Sequence, residues 1–266
     1  DPAGRFGAGV DEAGYGPRLG PFCSAVCWVQ LTPHAPVDGA EAVELAQAIL
    51  MDEYGLTVDD SKSIFRKRED IGNLWMPVAM LAGAFSNPLS VPTDAGSLLE
   101  TLCPAADIEA MDRRPWYASG EDFSVKGPGE GAKLRAAAER LRSELARAGV
   151  VDFGFRVRCV DVAEFNREVD RLGNKAELNW AVTDDALRFA AGRAHPASTL
   201  AFHCDRQGGR KRYEDKLAGA FGEFVWILEE SPRVSRYRLQ HAGRDVTVAF
   251  TVEGEKANPL TALAAM

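Results

Sequence analysis

The sequence has little of what a membrane protein, a secreted disulfide scaffold or a bulk polyanion binder requires. In its 266 residues no stretch approaches the roughly 20 uninterrupted apolar residues of a membrane span. The opening Asp1-Pro2-Ala3-Gly4-Arg5-Phe6 lacks the basic and apolar regions of a signal peptide. A soluble cytoplasmic protein with no membrane partner is expected. The five cysteines, Cys23, Cys27, Cys103, Cys159 and Cys204, are odd in number and lie mostly in apolar runs, where a free thiol packs as a small hydrophobe. A reducing compartment fits them best. Cys23 and Cys27 have no second Cys/His pair at suitable spacing, so no zinc site is expected. Positive charge is short as well: 31 Lys and Arg against 39 Asp and Glu leave a net charge of −8, which argues against holding nucleic acid by bulk electrostatics. Basic residues do cluster between Lys62 and Arg68 and between Arg206 and Arg212, and a local field matters more than the total.

What is present is an ordinary globular composition, 46% hydrophobic and 26% charged, long enough for one large domain. Arg5 to Asp11 alternates as a strand with Phe6, Ala8 and Val10 on one face, and Phe22 to Leu31 is a second β-rich run. The Gly- and Pro-rich segment between them predicts an antiparallel pair with Asp11 and Glu12 at a strand end. Helices are expected over Ala40 to Tyr54, stopped by Gly55, and over Lys133 to Gly149. Phe153 to Val160 reads as a strand; Asp161 with Glu164, and Asn174 with Glu177, read as helix caps. A helix carrying Leu178, Ala181, Val182, Ala186 and Phe189 on one face precedes a buried strand, Ser198 to Cys204, that delivers Asp205. Tyr213 to Phe221 reads as helix and Phe224 to Leu228 as a short strand. Arg236 to Gln240 pairs with Asp245 to Val252 across the turn between them. From about residue 71 to residue 131, Pro77, Pro88, Pro92, Pro104, Pro115 and Pro128 predict an irregular insertion.

Acidic residues stand at three predicted strand ends: Asp11 with Glu12, Asp205, and Glu253 with Glu255. Carboxylate oxygens suit hard Mg²⁺ or Mn²⁺, and a carboxylate cluster without His or Cys points to phosphoryl chemistry, in which metal-activated water removes the need for a protein nucleophile. His203, two residues before Asp205, reads as structural. Successive strand side chains face opposite ways, so Asp11 and Glu12 converge only if the chain twists or bulges near Gly14 and Gly16.

The stretch from Gly9 to Pro21, GVDEAGYGPRLGP, resembles the opening motif of ribonuclease HII, the type 2 ribonucleases H. Asp60-Ser61-Lys62, followed by Arg66-Lys67-Arg68-Glu69, is similar to that family's next block, and Arg171 to Lys175 is similar to the start of the helix before its third acid. Asp205 falls where that acid would lie. Gly254-Glu255-Lys256-Ala257-Asn258-Pro259, with its Ala-rich continuation, resembles the block that carries the fourth. Four ordered islands thus carry the resemblance. Gly14-Tyr15-Gly16 stands where the family has Gly-Arg-Gly, Glu255 where it has Asp, and its C-terminal substrate-binding helices have no counterpart here.

The resemblance implies a ribonuclease H-like α/β fold, with a mixed five-stranded sheet of three antiparallel strands and parallel additions. Helices would flank the sheet, in one domain over residues 1–266 with the insertion at 71–131. It implies a monomeric endoribonuclease that uses Mg²⁺ or Mn²⁺. The substrate would be an RNA/DNA hybrid or a single ribonucleotide in duplex DNA, cut to 3′-hydroxyl and 5′-phosphate ends. Asp11, Glu12, Asp205 and Glu255 would be catalytic and bind metal, with Glu253 the alternative fourth ligand. Gly14, Tyr15 and Gly16 would meet the ribose; Ser61, Lys62, Arg206, Arg210 and Lys211 are candidate phosphate contacts. A ribonuclease H-like DNA nuclease and a non-catalytic nucleic-acid-binding relative are the competing expectations.

Overall fold

A computed structural model describes residues 4–14, 20–59, 61–64, 71–115 and 130–266. Its strands are β1 (Arg5–Ala13), β2 (Phe22–Leu31), β3 (Val150–Val160), β4 (Thr199–Asp205), β5 (Val225–Glu230), β6 (Val234–His241) and β7 (Arg244–Thr251). They form a single sheet in the order β3-β2-β1-β4-β7-β6-β5. β1, β2 and β3 are antiparallel neighbours; β1, β4 and β7 run parallel; β6 and β5 return antiparallel.

The expected sheet of five strands is therefore corrected to seven. The two strands beyond those the resemblance implies are β5 and β6, where the alternation of Phe224–Leu228 and Arg236–Gln240 already reads as strand. In β6 the buried Ser235, Tyr237 and Leu239 alternate with the exposed Arg236 and Arg238, the pattern of an antiparallel strand with one wet face. The hairpin extends the sheet beyond β7, and β5 becomes its edge.

Two apolar layers clothe the sheet. On one face Phe6, Ala8, Val10, Leu200, Phe202, Val248 and Phe250 pack under α8 (Lys175–Arg193) and α9 (Glu214–Phe221). On the other, Cys27, Val29, Leu31 and Phe153 pack against α1 (Gly39–Tyr54), α3 (Ile71–Phe85), α6 (Glu130–Arg147) and α11 (Pro259–Ala265). Helix α11 crosses directly over β1. A Cβ at Gly9 would run into the backbone of Leu260 and Thr261, so only glycine admits the helix that closely. The expected caps form: Asp38 makes a full capping box with Glu41 on α1, and Asp161 and Asn174 accept the amides of Glu164 and Glu177.

Residues 71–131 depart from the irregular segment expected. Within their described part lie α3, α4 (Ala95–Leu102), α5 (Ala105–Asp112) and the start of α6. Most of the prolines punctuate helices instead of preventing them. Pro88 and Pro92 separate α3 from α4, Pro104 is the N-cap of α5, and Pro115 follows it. Among the described prolines of this segment Pro77 alone sits inside a helix. There the burial of Trp75, Val78, Ala79, Met80, Leu81 and Ala84 offsets the lost backbone bond.

Candidate functional site

The chain leaves β1 toward β2 and β3 on one side of the sheet, whereas from β4 it proceeds to the far edge at β5 and returns through β6 to β7 on the other. Adjacent parallel strands whose connections diverge leave a crevice at their carboxyl ends, the usual ligand position in open α/β sheets. Pairing between β1 and β4 ends at Val10 opposite Cys204. The next residues are Asp11 and Asp205, side by side at the mouth of that crevice. Beyond β7 the backbone turns through Glu253 at φ 55° and ψ 51° into α10 (Gly254–Ala257). The amide of Gly254 donates to Asp205 Oδ1 at 2.7 Å. A Cβ on Gly254 would stand 2.9 Å from the Asp205 Cα, so this short helix and β4 meet only at a glycine.

No bulge brings Asp11 and Glu12 together. Their pairing with β2 is unbroken, Asp11 with Ala25, Glu12 with Ser24 and Ala13 with Cys23. The two side chains take the opposite faces that a strand imposes. Glu12 lies on the α8 side, where Asn179 Nδ2 donates to its Oε1 at 2.9 Å. Asp11 lies on the α10 side with Asp205 and within the field of Glu255. The carboxylates wrap the end of the sheet, which replaces the expected local twist or bulge.

Electrostatics bind the four acids into one unit. Burial drives the Asp11 carboxyl up to about 8 from its ordinary 3.8; the amide of Glu12, 2.7 Å from its Oδ1, opposes this, while the charges of Asp205, Glu12 and Glu255 add to it. Glu12 is raised by burial and by Asp205, against the stabilising bond from Asn179. Among the described residues no three acidic, imidazole or thiol groups close around a common point as a ready ligand cage. Carboxylates of this kind hold Mg²⁺ with water and substrate phosphate completing the shell.

The other candidates separate clearly. Glu253 is about half-exposed, ion-paired with Lys256 and 3.6 Å from Arg233, and Lys256 holds its carboxyl below the usual range. It is Glu255 whose charge reaches Asp11. Ser61 and Lys62 lie in α2 (Ser61–Ile64), and the Lys62 charge acts on Glu253 at the rim of the site. Arg206 turns away from the crevice. Only 7% exposed, it donates to the carbonyls of Pro232 at 2.6 Å and Ser231 at 3.1 Å and to Ser235 Oγ at 2.8 Å, which corrects its reading as a phosphate contact. Arg210 pairs with Glu177 at 3.3 Å, and Lys211 is exposed. Gly14 takes the left-handed φ of 77°. Tyr15, Gly16, Asp60 and the run from Arg66 to Glu69 lie outside the described residues. His203 shares the Asp205 face and lines a cavity of about 290 Å³ with Arg236, Thr251, Gly254 and Asn258; burial holds its imidazole below the usual range.

Sequence reasoning missed a supporting relay. Gln207 Nε2 donates to Thr183 Oγ1 at 2.6 Å and to Asn179 Oδ1 at 3.1 Å, and this fixes the Asn179 amide so that its Nδ2 faces Glu12. All three relay residues are buried. The available signal was Asn179 itself, a polar residue between Leu178 and Trp180 on a helix that buries both.

A scan against protein-family models finds no match to this chain, and a search of curated proteins finds no relative.

Proposed function

We propose that this chain is a metal-dependent endonuclease of the ribonuclease H type. It hydrolyses the RNA strand of RNA/DNA hybrids or single ribonucleotides in duplex DNA, leaving 3′-hydroxyl and 5′-phosphate ends. The observation that carries the reading is the buried Asp11 carboxyl, driven to about 8 beside Asp205, Glu12 and Glu255. A carboxyl raised first by burial and then by neighbouring carboxylates is relieved by a proton or by a cation, and an all-oxygen donor set without His or Cys favours a hard divalent ion. The order β3-β2-β1-β4-β7 supports a ribonuclease H-like arrangement to which the β5–β6 hairpin is added.

Asp11, Asp205, Glu12 and Glu255 would hold the ion or ions. Mg²⁺ or Mn²⁺ bound there supplies Lewis-acid polarisation of the phosphodiester and a more acidic attacking water. The chain's own work is positioning. Asn179 holds Glu12 on the α8 side, and the Gly254 amide holds one oxygen of Asp205, leaving its other oxygen for a ligand. Lys62 places positive charge at the rim, suited to a nucleic-acid phosphate.

The test compares labelled hybrid, single-ribonucleotide and all-DNA duplexes, each with Mg²⁺, Mn²⁺ or chelator. Metal-dependent cleavage confined to ribonucleotide-containing substrates, lost in Asp11→Asn, is expected. Equal cutting of all-DNA duplex would make the protein a DNA nuclease instead. Binding without cleavage in either metal would make it a non-catalytic relative.

A further inference from the structure

Three thiols stand in a row on the α3–α6 side of the molecule, apart from the carboxylates. Cys23 lies in β2, Cys159 opposite it in β3, and Cys103 at the C-cap of α4. Cys159 Sγ is 3.7 Å from Cys23 Sγ and 3.8 Å from Cys103 Sγ, and all three are reduced. Around them are Leu102, Ile108, Met111 and Val157. Apolar packing explains a buried cysteine but does not require three to converge from three separate elements.

The backbone is suited to a bond between the first two. The Cys159 amide donates to Asp107 Oδ2 at 2.9 Å instead of across to β2, so Cys23 and Cys159 form a non-hydrogen-bonded cross-strand pair. Such pairs have Cα atoms about 4.5 Å apart, inside the roughly 4.4–6.8 Å span of disulfides. Rotation of the two side chains would close their sulfurs to the bonding distance of about 2.05 Å. Access is graded: Cys23 is half-buried, whereas Cys159 is 3% and Cys103 9% exposed.

We propose that Cys23 and Cys159 are a reversible oxidation site that exchanges with a small-molecule disulfide such as oxidised glutathione, with Cys103 as the third thiol that reopens the bond. Cys23 gives up its proton and attacks one glutathione sulfur; the first glutathione leaves as thiolate and takes that proton. Cys159 then attacks Cys23 Sγ, its proton passing to the second departing glutathione. Two protein thiols are oxidised and one glutathione disulfide is reduced to two thiols. In the reverse sense the Cys103 thiol, in contact with Cys159, attacks that sulfur, gives its proton to the departing Cys23 thiolate and leaves a Cys103–Cys159 disulfide; two reduced glutathiones then open that bond by successive exchange, ending as one glutathione disulfide and three protein thiols. The hydrogen bond from Cys159 lowers the Cys23 thiol below its usual range, against burial and the Asp107 charge, which suits Cys23 to the first attack.

The full-length folded chain is incubated with excess oxidised glutathione, alkylated, digested and mapped by mass spectrometry. A peptide pair linking Cys23 to Cys159 is expected, reversed by reduced glutathione, while the deeply buried Cys27 and Cys204 alkylate only after denaturation. Cys159→Ser should accumulate a glutathione adduct on Cys23, and Cys103→Ser should close the same bond but reopen it severalfold more slowly. Five alkylatable thiols after oxidation would overturn the proposal. So would loss of two thiols in Cys159→Ser as readily as in the unmodified chain, or metal analysis finding a bound soft ion that protects all three. Thermal melts show whether each variant folds; if Cys159→Ser does not, the peptide map of the unmodified chain decides alone.

Discussion

Replacing Asp11 with Asn should stabilise the metal-free protein while removing the proposed cleavage activity. The carboxyl is ordinarily near 3.8 and is driven to about 8 in the fold. The folded state therefore binds that proton more tightly than the unfolded chain does, and stability falls as pH rises from about 4 to about 8. At 1.36 kcal/mol per pH unit the cost approaches about 5 kcal/mol at pH 8. Asp11 keeps some contact with solvent, which screens the repulsion and brings the working figure nearer ~2–3 kcal/mol. For a chain of this size that corresponds to roughly 5–10 °C in Tm, and only about 2 °C at pH 5, where the folded carboxyl is still protonated and only the unfolded chain has ionised. Asn carries no charge to bury, so the advantage of the variant should grow with pH. Circular dichroism melts of both proteins in chelator at pH 5 and pH 8 test this directly. Mg²⁺ or Mn²⁺ should then raise the Tm of the original chain and leave the variant nearly unmoved. An equal gain at the two pH values, or no gain at pH 8, would refute the claim that burying the Asp11 carboxylate beside the other acids destabilises the metal-free fold.

Asn179→Ala leaves buried Glu12 without its donor and should lower cleavage on the order of 10-fold, with a stability loss of about 1–3 kcal/mol in urea titration; cleavage unchanged per folded molecule would show that the relay is not needed. Arg206→Ala strips three hydrogen bonds from the loop before β6 and should cost ~2–4 kcal/mol in the same titration, leaving salt dependence of nucleic-acid binding unaltered; a shallower salt slope would return Arg206 to the phosphate contacts. Gly9→Ala forces α11 off β1 and should cost at least ~1–3 kcal/mol, seen as faster hydrogen exchange in residues 254–265; protection equal to that of the original chain would refute the close crossing.

Much of the sheet was legible because its signals are local. Alternation in residues 236–252 depends on two faces of unequal wetness; in residues 5–11, buried on both faces, it is one of larger side chains under α8 and glycines under α11; and caps such as Asp38, Asp161 and Asn174 act within one turn. The helices between residues 71 and 112 were not legible, since Pro77 argues against a helix and only burial against α6 and β3 overrides it. At the site, strand ends made Asp11, Glu12 and Asp205 visible. The choice between Glu253 and Glu255 was not, because it depends on a left-handed residue at 253 and on Lys256 taking the first carboxylate. Arg206 looked available because it follows an acid in a basic run; its burial is a property of the loop at residues 231–235, remote in sequence.

The crossing of α11 over β1 has a consequence for synthesis. The first strand cannot bury its Gly7–Gly9 face, nor Asp11 meet Glu255, until the residues after β7 have left the ribosome. Contacts between such distant parts of a chain form late and slowly. A nascent chain that stops short of residue 254 carries at most Asp11, Glu12 and Asp205 without Glu255, so under the proposed function competence for phosphodiester chemistry would arrive only with α10 and α11.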